Sequence, residues 1–319
     1  MTGLRHLIER GDRASRISWL AALVYLRYKL PATFDRLLSR SDRDLTDVHQ
    51  RNADQIFETA TRLKGLLIKM CQVIGTRSDV FPPPYVRTLS KAQDRLPPRS
   101  FDEMRPVVEE DLGKPIGAVF AEFEPEPVAA ASLAQVHRAR LLDGREVAVK
   151  VQYPDIAHIV QTDLASVRRV AWVYQKFDPQ PLELLPLLDE LSRHLALELD
   201  FEREVQSAER IRGFFEKDAH VRIPRFHKAF CTRRVITMEF LDGVKVTDTE
   251  GLRRANVDPA EVIQGLMTIY TRMIMAYGFF QADPHPGNIF IRPGPEFILL
   301  DFGLAKELPK GFGLGLFEL

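Results

Sequence analysis

The sequence predicts an α+β fold, in which groups of helices and groups of strands alternate along a chain of 319 residues. Several long segments carry apolar residues at steps of three and four, which is the period of a helix. Shorter β-branched or aromatic runs, bounded by glycine, proline or aspartate, predict antiparallel hairpins. A third observation is a pair of acidic motifs, Gln-Ala-Asp-Pro-His-Pro-Gly-Asn at residues 281–288 and Leu-Asp-Phe-Gly at residues 300–303, set on either side of one such hairpin.

The composition is that of a folded protein, with 45% hydrophobic and 28% charged residues. Lysine plus arginine equals aspartate plus glutamate at 44 each, so no net charge favours nucleic acid, and no nucleic-acid partner is expected. Cys71 and Cys231 are the two cysteines. They cannot form a disulfide framework and suit a reducing compartment, so we expect a cytoplasmic protein.

The first thirty residues are basic around a short apolar core at residues 19–26. This core is shorter than the ~20 apolar residues that span a bilayer. Cations also stand where a signal peptide would be cleaved, which argues against export. Two alternatives stay open, a helix docked on its own protein and a basic amphipathic helix at an anionic membrane surface, and the first ranks ahead. The cations are Arg5, Arg10, Arg13, Arg16, Arg27 and Lys29.

An apolar stripe predicts a single helix over residues 52–75, with Gly75 as its C-cap. Lys69 and Gln72 are three residues apart on this helix, so they share a face and can reach one ligand or one partner. The alternative is that they form its solvated side. Proline clusters at residues 82–84 and 97–98 predict a domain boundary near residue 100.

A hairpin is predicted from residues 128–137 and 146–151, joined by the Asp143-Gly144 turn. Val-Ala-Val-Lys at residues 147–150 is typical of the strand that carries the nucleotide-binding lysine of kinases, so Lys150 is a candidate; a solvent-facing lysine is the alternative. The segment before it stands where kinases have a glycine loop. Alanine restricts positive φ, so a nucleotide would bind there in a different pose. The loop candidates are Ala129, Ala130, Ala131 and Ser132.

Apolar periodicity predicts a scaffold helix over residues 155–177 and one long helix over residues 187–215. On a regular helix Glu198 and Asp200 point roughly 200° apart and cannot serve one site. A kinase needs one glutamate here to pair with its strand lysine. We predict Glu204 as the partner of Lys150, with Glu202 as the second choice.

The carboxyl-terminal third predicts the elements that would carry a catalytic loop. The apolar run at residues 235–241 predicts a buried strand, at the place where a kinase hinge would pass the adenine. Asp258 is a helix N-cap before Pro259, and Gly278 ends that helix just before the first acidic motif. Apolar runs at residues 289–291 and 297–300 predict a hairpin around a Pro-Gly-Pro turn.

The spacing of the two acidic motifs is typical of the catalytic and metal-binding loops of kinases. Asp283 would orient a nucleophile or act as a base. Asn288 and Asp301 would hold Mg²⁺ against the phosphates of ATP, because this hard cation prefers oxygen ligands. Either motif alone is also consistent with ordinary turns. Their order and their position at strand ends favour the catalytic interpretation.

Taken together, the motifs resemble the UbiB/AarF-domain family of atypical kinase-like proteins, over residues 56–306. Lys69 and Gln72 lie in a segment similar to the family's Lys-x-Gly-Gln signature. Glu198 and Asp200 match its Glu-x-Asp signature, and the alanine-rich loop is also similar. The resemblance implies a protein-kinase-like two-lobed fold with an N-terminal helical extension whose lysine-glutamine signature packs over the active site. It also implies ATP hydrolysis, an association with membrane surfaces and a role in ubiquinone or other isoprenoid-lipid metabolism.

This sequence departs from the family pattern at two points. Cys71 stands where the family has glycine, which affects the packing of the signature helix. The chain ends at Leu319, soon after Asp301, so we expect a truncated C-lobe; the alternative is a small lobe whose apolar surface is covered by a partner. We expect an N-terminal extension at residues 1–100, an N-lobe at 101–244 and a partial C-lobe at 245–319.

The predicted function is that of an Mg²⁺- and ATP-binding atypical kinase or ATPase. The resemblance adds lipid-biosynthesis proteins and an anionic membrane surface as expected partners, with a peripheral membrane location. One alternative is a pseudokinase scaffold that binds ATP without turnover. A second alternative, ranked lower, is a small-molecule kinase of the choline or aminoglycoside type, which shares the spacing from Asp283 to Asn288.

Overall fold

The computed structural model describes residues 2–37, 44–93, 98–178 and 184–309, together with Phe312. The end of the predicted C-lobe, at residues 310–311 and 313–319, lies outside the described residues, as do the side chains of Arg5 and Arg10. The helices are, in chain order, α1 (Thr2–Leu37), α2 (Thr46–Leu63), α3 (Leu66–Thr76), α4 (Pro83–Leu89), α5 (Phe101–Leu112), α6 (Ile156–Phe177), α7 (Leu184–Glu198), α8 (Phe201–Phe214), α9 (Thr249–Arg254) and α10 (Pro259–Thr271).

The strands form mainly antiparallel sheets. They are β1 (Phe120–Ala130), β2 (Ala134–Leu141), β3 (Glu146–Gln152), β4 (Val221–Arg222), β5 (Val235–Glu239), β6 (Val244–Lys245), β7 (Phe279–Gln281), β8 (Ile289–Arg292), β9 (Glu296–Leu299) and β10 (Ala305–Glu307). One sheet has the order β1-β2-β3-β5, a second has the order β4-β9-β8-β6, and a third pairs β7 with β10. The second sheet contains one parallel pair, β4 with β9.

The chain divides into two compact units that are discontinuous in sequence. The helical unit contains residues 1–99, 130–134 and 153–193, and the mixed unit contains residues 100–129, 135–152 and 194–319. Thus α6 and most of α7 belong with the N-terminal helices, although both lie within the predicted N-lobe at residues 101–244. The division into an extension, an N-lobe and a C-lobe at residues 100 and 244 stays a prediction.

The core of the helical unit lies between α1, α2, α3 and α4. Ile17 on α1 is buried there with Leu67, Ile68 and Leu89. Arg13 is also turned inward, and its guanidinium donates to both carboxylate oxygens of Asp163 on α6, at 3.0 and 2.6 Å. The docking of α1 on its own protein is therefore observed over this part of the helix.

The expectation of one helix over residues 52–75 is wrong, because the helix breaks between α2 and α3. Lys64 and Gly65 have φ values of 57° and 62°, and glycine adopts this left-handed region at little cost. The Leu63 carbonyl, left without a helical partner by the break, accepts a hydrogen bond from Arg13 Nη1 at 2.8 Å. The apolar period continues through the break, so periodicity could not reveal it.

Gly75 does not cap α3, because it lies inside the helix and Arg77 is the C-cap residue. Its role is close packing. A Cβ atom at Gly75 would lie 2.6 Å from the backbone nitrogen of Ser90. The absence of a side chain thus lets α3 approach the turn that follows α4.

The mixed unit has its own core, in which α8 and α10 surround the sheet of β4, β9, β8 and β6. The hairpin predicted around residues 292–295 is confirmed, with Ile289 opposite Leu299 and Ile291 opposite Phe297. The predicted cap of α10 is also confirmed, since Asp258 accepts from the Ala260 amide at 2.9 Å. A π-helical turn at Arg272–Tyr277 follows α10 and ends at Gly278, whose φ is 61°.

The prediction of one helix over residues 187–215 is wrong. α7 ends at Glu198 and α8 begins at Phe201. Asp200 lies between them as the N-cap of α8, and its side chain accepts from the Arg203 amide at 3.0 Å. The angle of roughly 200° between Glu198 and Asp200 therefore does not apply, because the two residues do not share a regular helix. Within the described ranges, none of the helices is long and apolar enough to cross a membrane.

Candidate active site

Lys150 occupies the centre of the candidate site. It lies on β3, where Val147, Val149 and Val151 turn to the opposite, fully buried face. Its Nζ lies 2.7 Å from Oε1 and 2.9 Å from Oε2 of Glu204, and 3.3 Å from Oδ2 of Asp301. The side chains of Lys150 and Glu204 are only 14% and 7% exposed. One lysine thus connects two carboxylates that come from distant parts of the chain.

Glu204 reaches Lys150 because of the way α8 begins. With Asp200 as the N-cap, Glu204 falls in the first turns of the helix, on its buried side, while Glu202 is exposed. Glu204 also lines the segment after Asp301, since a Cβ atom at Gly303 would lie 3.7 Å from Oε2 of Glu204 and 3.8 Å from Cα of Glu198. Both glutamates are therefore close to this segment.

Burial and charge set the ionisation of this cluster. Burial raises the pKa of Glu204, Lys150 opposes this effect, and the neighbouring charge of Asp301 adds to it. Burial would by itself lower the pKa of Lys150, but the charges and hydrogen bonds of Asp301 and Glu204 outweigh it and raise that pKa. Lys150 therefore stays cationic at neutral pH, which is the state that binds phosphate.

Asp301 is held by its own backbone and by two residues that the sequence analysis missed. Oδ1 of Asp301 accepts from the Gly303 amide at 3.1 Å. The side-chain amide of Gln281 donates to the Asp301 carbonyl, and Tyr270 donates to Oε1 of Gln281 at 2.7 Å. Burial and the charge of Asp283 raise the pKa of Tyr270, so its hydroxyl keeps the proton that it donates. The one sequence signal was a polar residue, Gln281, at the end of a short apolar strand.

Backbone hydrogen bonds join the two predicted loops. The Ala282 amide donates to the Leu304 carbonyl at 2.8 Å, and the Leu300 amide donates to the Asn288 carbonyl at 3.1 Å. Asn288 therefore lies opposite Leu300, the residue before Asp301, at the end of the β8–β9 ladder. The side chain of Asp283 is exposed, as a group that meets a substrate must be.

The donor set fits a magnesium-bound nucleotide. Asp301 and Asn288 offer oxygen ligands, and Lys150 offers a cation for phosphate. Within the described part of the chain, no three His, Cys, Asp or Glu residues form a cluster able to hold a metal. Mg²⁺ commonly uses one or two protein ligands together with phosphates and water. Asp301 and Asn288 are the residues that would hold it.

The remaining predicted residues lie in the loop and signature segments. Ala129 and Ala130 end β1, and Ala131 forms a tight turn in which its amide donates to the Ala134 carbonyl at 2.8 Å. Ser132, next in this turn, is buried. Lys69 and Gln72 are half-buried on α3, and Gln72 Nε2 donates to the Ala92 carbonyl at 3.1 Å. The roles of these residues in nucleotide binding or regulation stay predictions.

The fold and the arrangement of Lys150, Glu204 and Asp301 are those of a kinase-like protein. A family model described as the ABC1 atypical kinase-like domain matches residues 91–319. The chain therefore belongs to the ABC1 atypical kinase-like family, and both the resemblance and the α+β, kinase-like fold class are confirmed.

Curated relatives carry names of the same kind. AarF domain-containing protein kinase 1 of Xenopus tropicalis is 39% identical over 274 residues, which cover 84% of this chain and 52% of the relative. ACTIVITY OF BC1 COMPLEX KINASE 8, a chloroplastic protein of Arabidopsis thaliana, is 36% identical over 267 residues, covering 82% and 35%. The chain thus spans about half the length, or less, of these relatives.

A solved structure has a similar fold. The protein Rv3197 of Mycobacterium tuberculosis, determined in complex with erythromycin, superposes with a TM-score of 0.58 and 27% sequence identity. The match covers 85% of this chain and 68% of that chain.

Proposed function

We propose that this chain binds Mg²⁺ and ATP and acts as an ATPase or phosphotransferase. The observation that carries the proposal is the partly buried contact of Lys150 with Glu204 and Asp301. An isolated surface lysine would not be held between two carboxylates in this way, whereas a phosphate-binding lysine needs a partner that fixes its direction. Membership of a kinase-like family also supports the proposal.

Each residue has a separate role in this proposal. Lys150 binds the α- and β-phosphates, and Glu204 orients Lys150. Asp301 and Asn288 hold Mg²⁺, and Asp283 orients the attacking water or hydroxyl. Bound Mg²⁺-ATP supplies the phosphoryl group that is transferred. The loop of Ala129, Ala130, Ala131 and Ser132 lies along the nucleotide, and the signature residues Lys69, Gln72, Glu198 and Asp200 regulate access to the site.

The biological setting is proposed from the family alone. We propose a role that supports ubiquinone or other isoprenoid-lipid biosynthesis, from a cytoplasmic position that includes peripheral contact with an anionic membrane surface. Two features of α1 are compatible with such contact. Trp19 is 70% exposed, and Leu26 and Leu30, which follow it by seven and eleven positions, are exposed on the same face.

The test of nucleotide binding is a titration with a fluorescent ATP analogue at several Mg²⁺ concentrations. We expect Lys150→Ala and Asp301→Asn to weaken binding by about tenfold or more, because each removes a charged contact. Lys306→Ala is the control, since Lys306 is an exposed lysine on β10. If folded Lys150→Ala and Asp301→Asn proteins bind with unchanged affinity and Mg²⁺ dependence, the nucleotide site is wrongly assigned.

Turnover separates an enzyme from a scaffold. Asp283→Asn should lower ATP hydrolysis while leaving analogue affinity nearly unchanged, because Asp283 acts on the nucleophile and not on the bound nucleotide. Analogue binding by the unmodified chain without any hydrolysis would instead assign it as a nucleotide-binding scaffold.

A further inference from the structure

Arg203 connects the helix that carries Glu204 to the strand that follows Asp301. It precedes Glu204 on α8, and its Nη2 donates to the carbonyl of Ala305 on β10 at 3.3 Å. Its backbone amide is the donor to the N-cap carboxylate of Asp200. Arg203 Nη1 is buried and has no hydrogen-bond partner within the part of the chain that the structure describes. A buried guanidinium nitrogen without a hydrogen-bond partner costs free energy, which calls for a reason.

The strand position of Ala305 gives that reason. Ala305 is paired with Gln281 in the β7–β10 ladder, and Gln281 in turn donates to the Asp301 carbonyl. Glu204 lies beside the same segment, since its Oε2 is 3.7 Å from the place that a Cβ atom at Gly303 would take, and its partner Lys150 also contacts Asp301. α8 therefore meets residues 301–305 at two places, at Glu204 and at Arg203. The hydrogen bond of Arg203 to the Ala305 carbonyl restricts the position of α8 and so limits where the Glu204 carboxylate can lie.

We propose that Arg203 is a positioning residue, which holds α8 against β10 so that Glu204 keeps Lys150 directed toward the phosphates. This inference rests on the proposed function for its consequence, but its geometry does not require bound nucleotide. Removal of the Arg203 guanidinium would free α8 to shift along the strand. Lys150 would then spend more time away from Glu204 and become more accessible.

Arg210 provides a matched control on the same helix. It lies two turns after Arg203 and also binds β10, through an ion pair of 2.8 Å with Glu307. Its guanidinium lies 4.0 Å from the ring centre of Phe279. The pair is well exposed, and it lies beyond Glu204 toward the far end of the helix. Arg210→Gln thus removes the same charge from the same helix without touching the attachment next to Glu204.

The experiment compares Arg203→Gln, Arg203→Lys and Arg210→Gln in the full chain, with two readouts. The first is the rate at which an amine-acylating reagent modifies Lys150, followed by peptide mass spectrometry without nucleotide. The second is the affinity for the fluorescent ATP analogue with Mg²⁺. Loss of a hydrogen bond from a charged group should raise the Lys150 labelling rate and lower the affinity by about tenfold in Arg203→Gln. Arg210→Gln should stay within about twofold of the unmodified chain in both. Arg203→Lys, which keeps a cationic donor, should fall between them.

The two readouts distinguish the possible failures. If the chain binds no nucleotide but Lys150 is labelled faster in Arg203→Gln than in Arg210→Gln, the positioning role stands and the proposed function fails. If Arg203→Gln does not fold, Arg203→Lys must still label faster than Arg210→Gln. Equal labelling of Lys150 in the Arg203 and Arg210 variants overturns the proposal, whatever their thermal stability.

Discussion

His137 illustrates how one buried side chain makes stability depend on pH. It is fully buried on β2, beside the rings of Phe101 and Phe123. Nδ1 lies 2.8 Å from the Glu124 carbonyl, which can only accept, so Nδ1 carries the proton of the neutral ring. Nε2, 2.9 Å from Nε2 of Gln135, is then the acceptor. Burial lowers the pKa of His137 despite the carbonyl contact.

We therefore expect acid to destabilise the fold through His137. The pKa of His137 is lower in the folded chain than the ordinary value of about 6.5. Above that value the ring is neutral in both the folded and the unfolded chain, so His137 does not reduce the free energy of unfolding there. As the pH falls from about 7 to 5, the unfolded chain binds a proton that the folded chain resists, and the free energy of unfolding decreases. Urea denaturation across this range should give a shallower pH slope for His137→Gln than for the unmodified chain. The exposed residue His220, changed to Gln, is the control; equal slopes in both variants would contradict the prediction.

At the scale of residues, sequence reasoning identified the contact that depends only on which face of a helix is buried. The choice of Glu204 over Glu202 required only that one helix face point inward, and Glu204 is the residue beside Lys150. Gln281 and Tyr270 were missed for a physical reason. Their hydrogen bonds join positions that are separated by about ten to twenty residues and depend on how α10 lies against β7, which no local pattern encodes.

At the scale of elements, the close packing of α3 against Ser90 favours glycine over any larger residue at position 75. Alanine usually stabilises a helix by about 1 kcal/mol relative to glycine. A Cβ atom at Gly75 would, however, lie 2.6 and 2.7 Å from backbone atoms of Ser90, which cannot rotate away. We expect Gly75→Ala to lower the free energy of unfolding by about 1–3 kcal/mol, the cost of overpacking, as measured by denaturant titration.

Gly213 on α8 is the matched control, because among the described residues no atom outside its own stretch of helix lies within 4 Å of the place that a Cβ atom would take there. Gly213→Ala should therefore be neutral or stabilise the chain by up to about 1 kcal/mol. A stabilising effect of similar size at both positions would show that α3 does not approach Ser90 as closely as the structure indicates.

Sequence periodicity located most elements but not their interruptions. The β8–β9 hairpin was predictable because its turn and its two strands are adjacent in the chain. The breaks at Lys64 and at Asp200 were not, because the apolar stripe continues on both sides of each break. What decides each break is a partner from elsewhere or a cap: Arg13 binds the carbonyl of Leu63, and Asp200 binds the amide of Arg203.

At the scale of the whole molecule, several cations of the N-terminal helix form ion pairs with carboxylates, so the helix attracts an anionic membrane less than its sequence suggests. Arg13 binds Asp163, Lys29 binds Asp178 at 2.7 Å, and Arg16 binds Asp12 at 2.8 Å. Each cation near an anionic surface contributes about 1 kcal/mol, and salt screens this contribution. We expect weak co-sedimentation with anionic vesicles, none with neutral vesicles, and release at high salt.

Point variants test this better than deletion, because removal of residues 1–30 would also remove the buried Ile17 and the ion pair of Arg13. Trp19→Ser should reduce the fraction that sediments with anionic vesicles, since an exposed tryptophan inserts at the headgroup level. Trp172→Ser, which changes an exposed tryptophan on α6, is the control. Equal sedimentation with neutral and anionic vesicles would remove the proposed preference for an anionic membrane surface.

The different sequence separations of the two contacts of Lys150 have a consequence for the order in which these contacts can form during synthesis. Lys150 and Glu204 are 54 positions apart, whereas Lys150 and Asp301 are 151 apart. Because the ribosome releases a chain from its amino end, β3 and α8 emerge well before Asp301 is synthesised. Lys150 can therefore meet Glu204 in the nascent chain, and the cost of closing that shorter loop is lower. Asp301, a proposed ligand of Mg²⁺, is then the last of the three residues to become available, after the proposed phosphate-binding pair of Lys150 and Glu204.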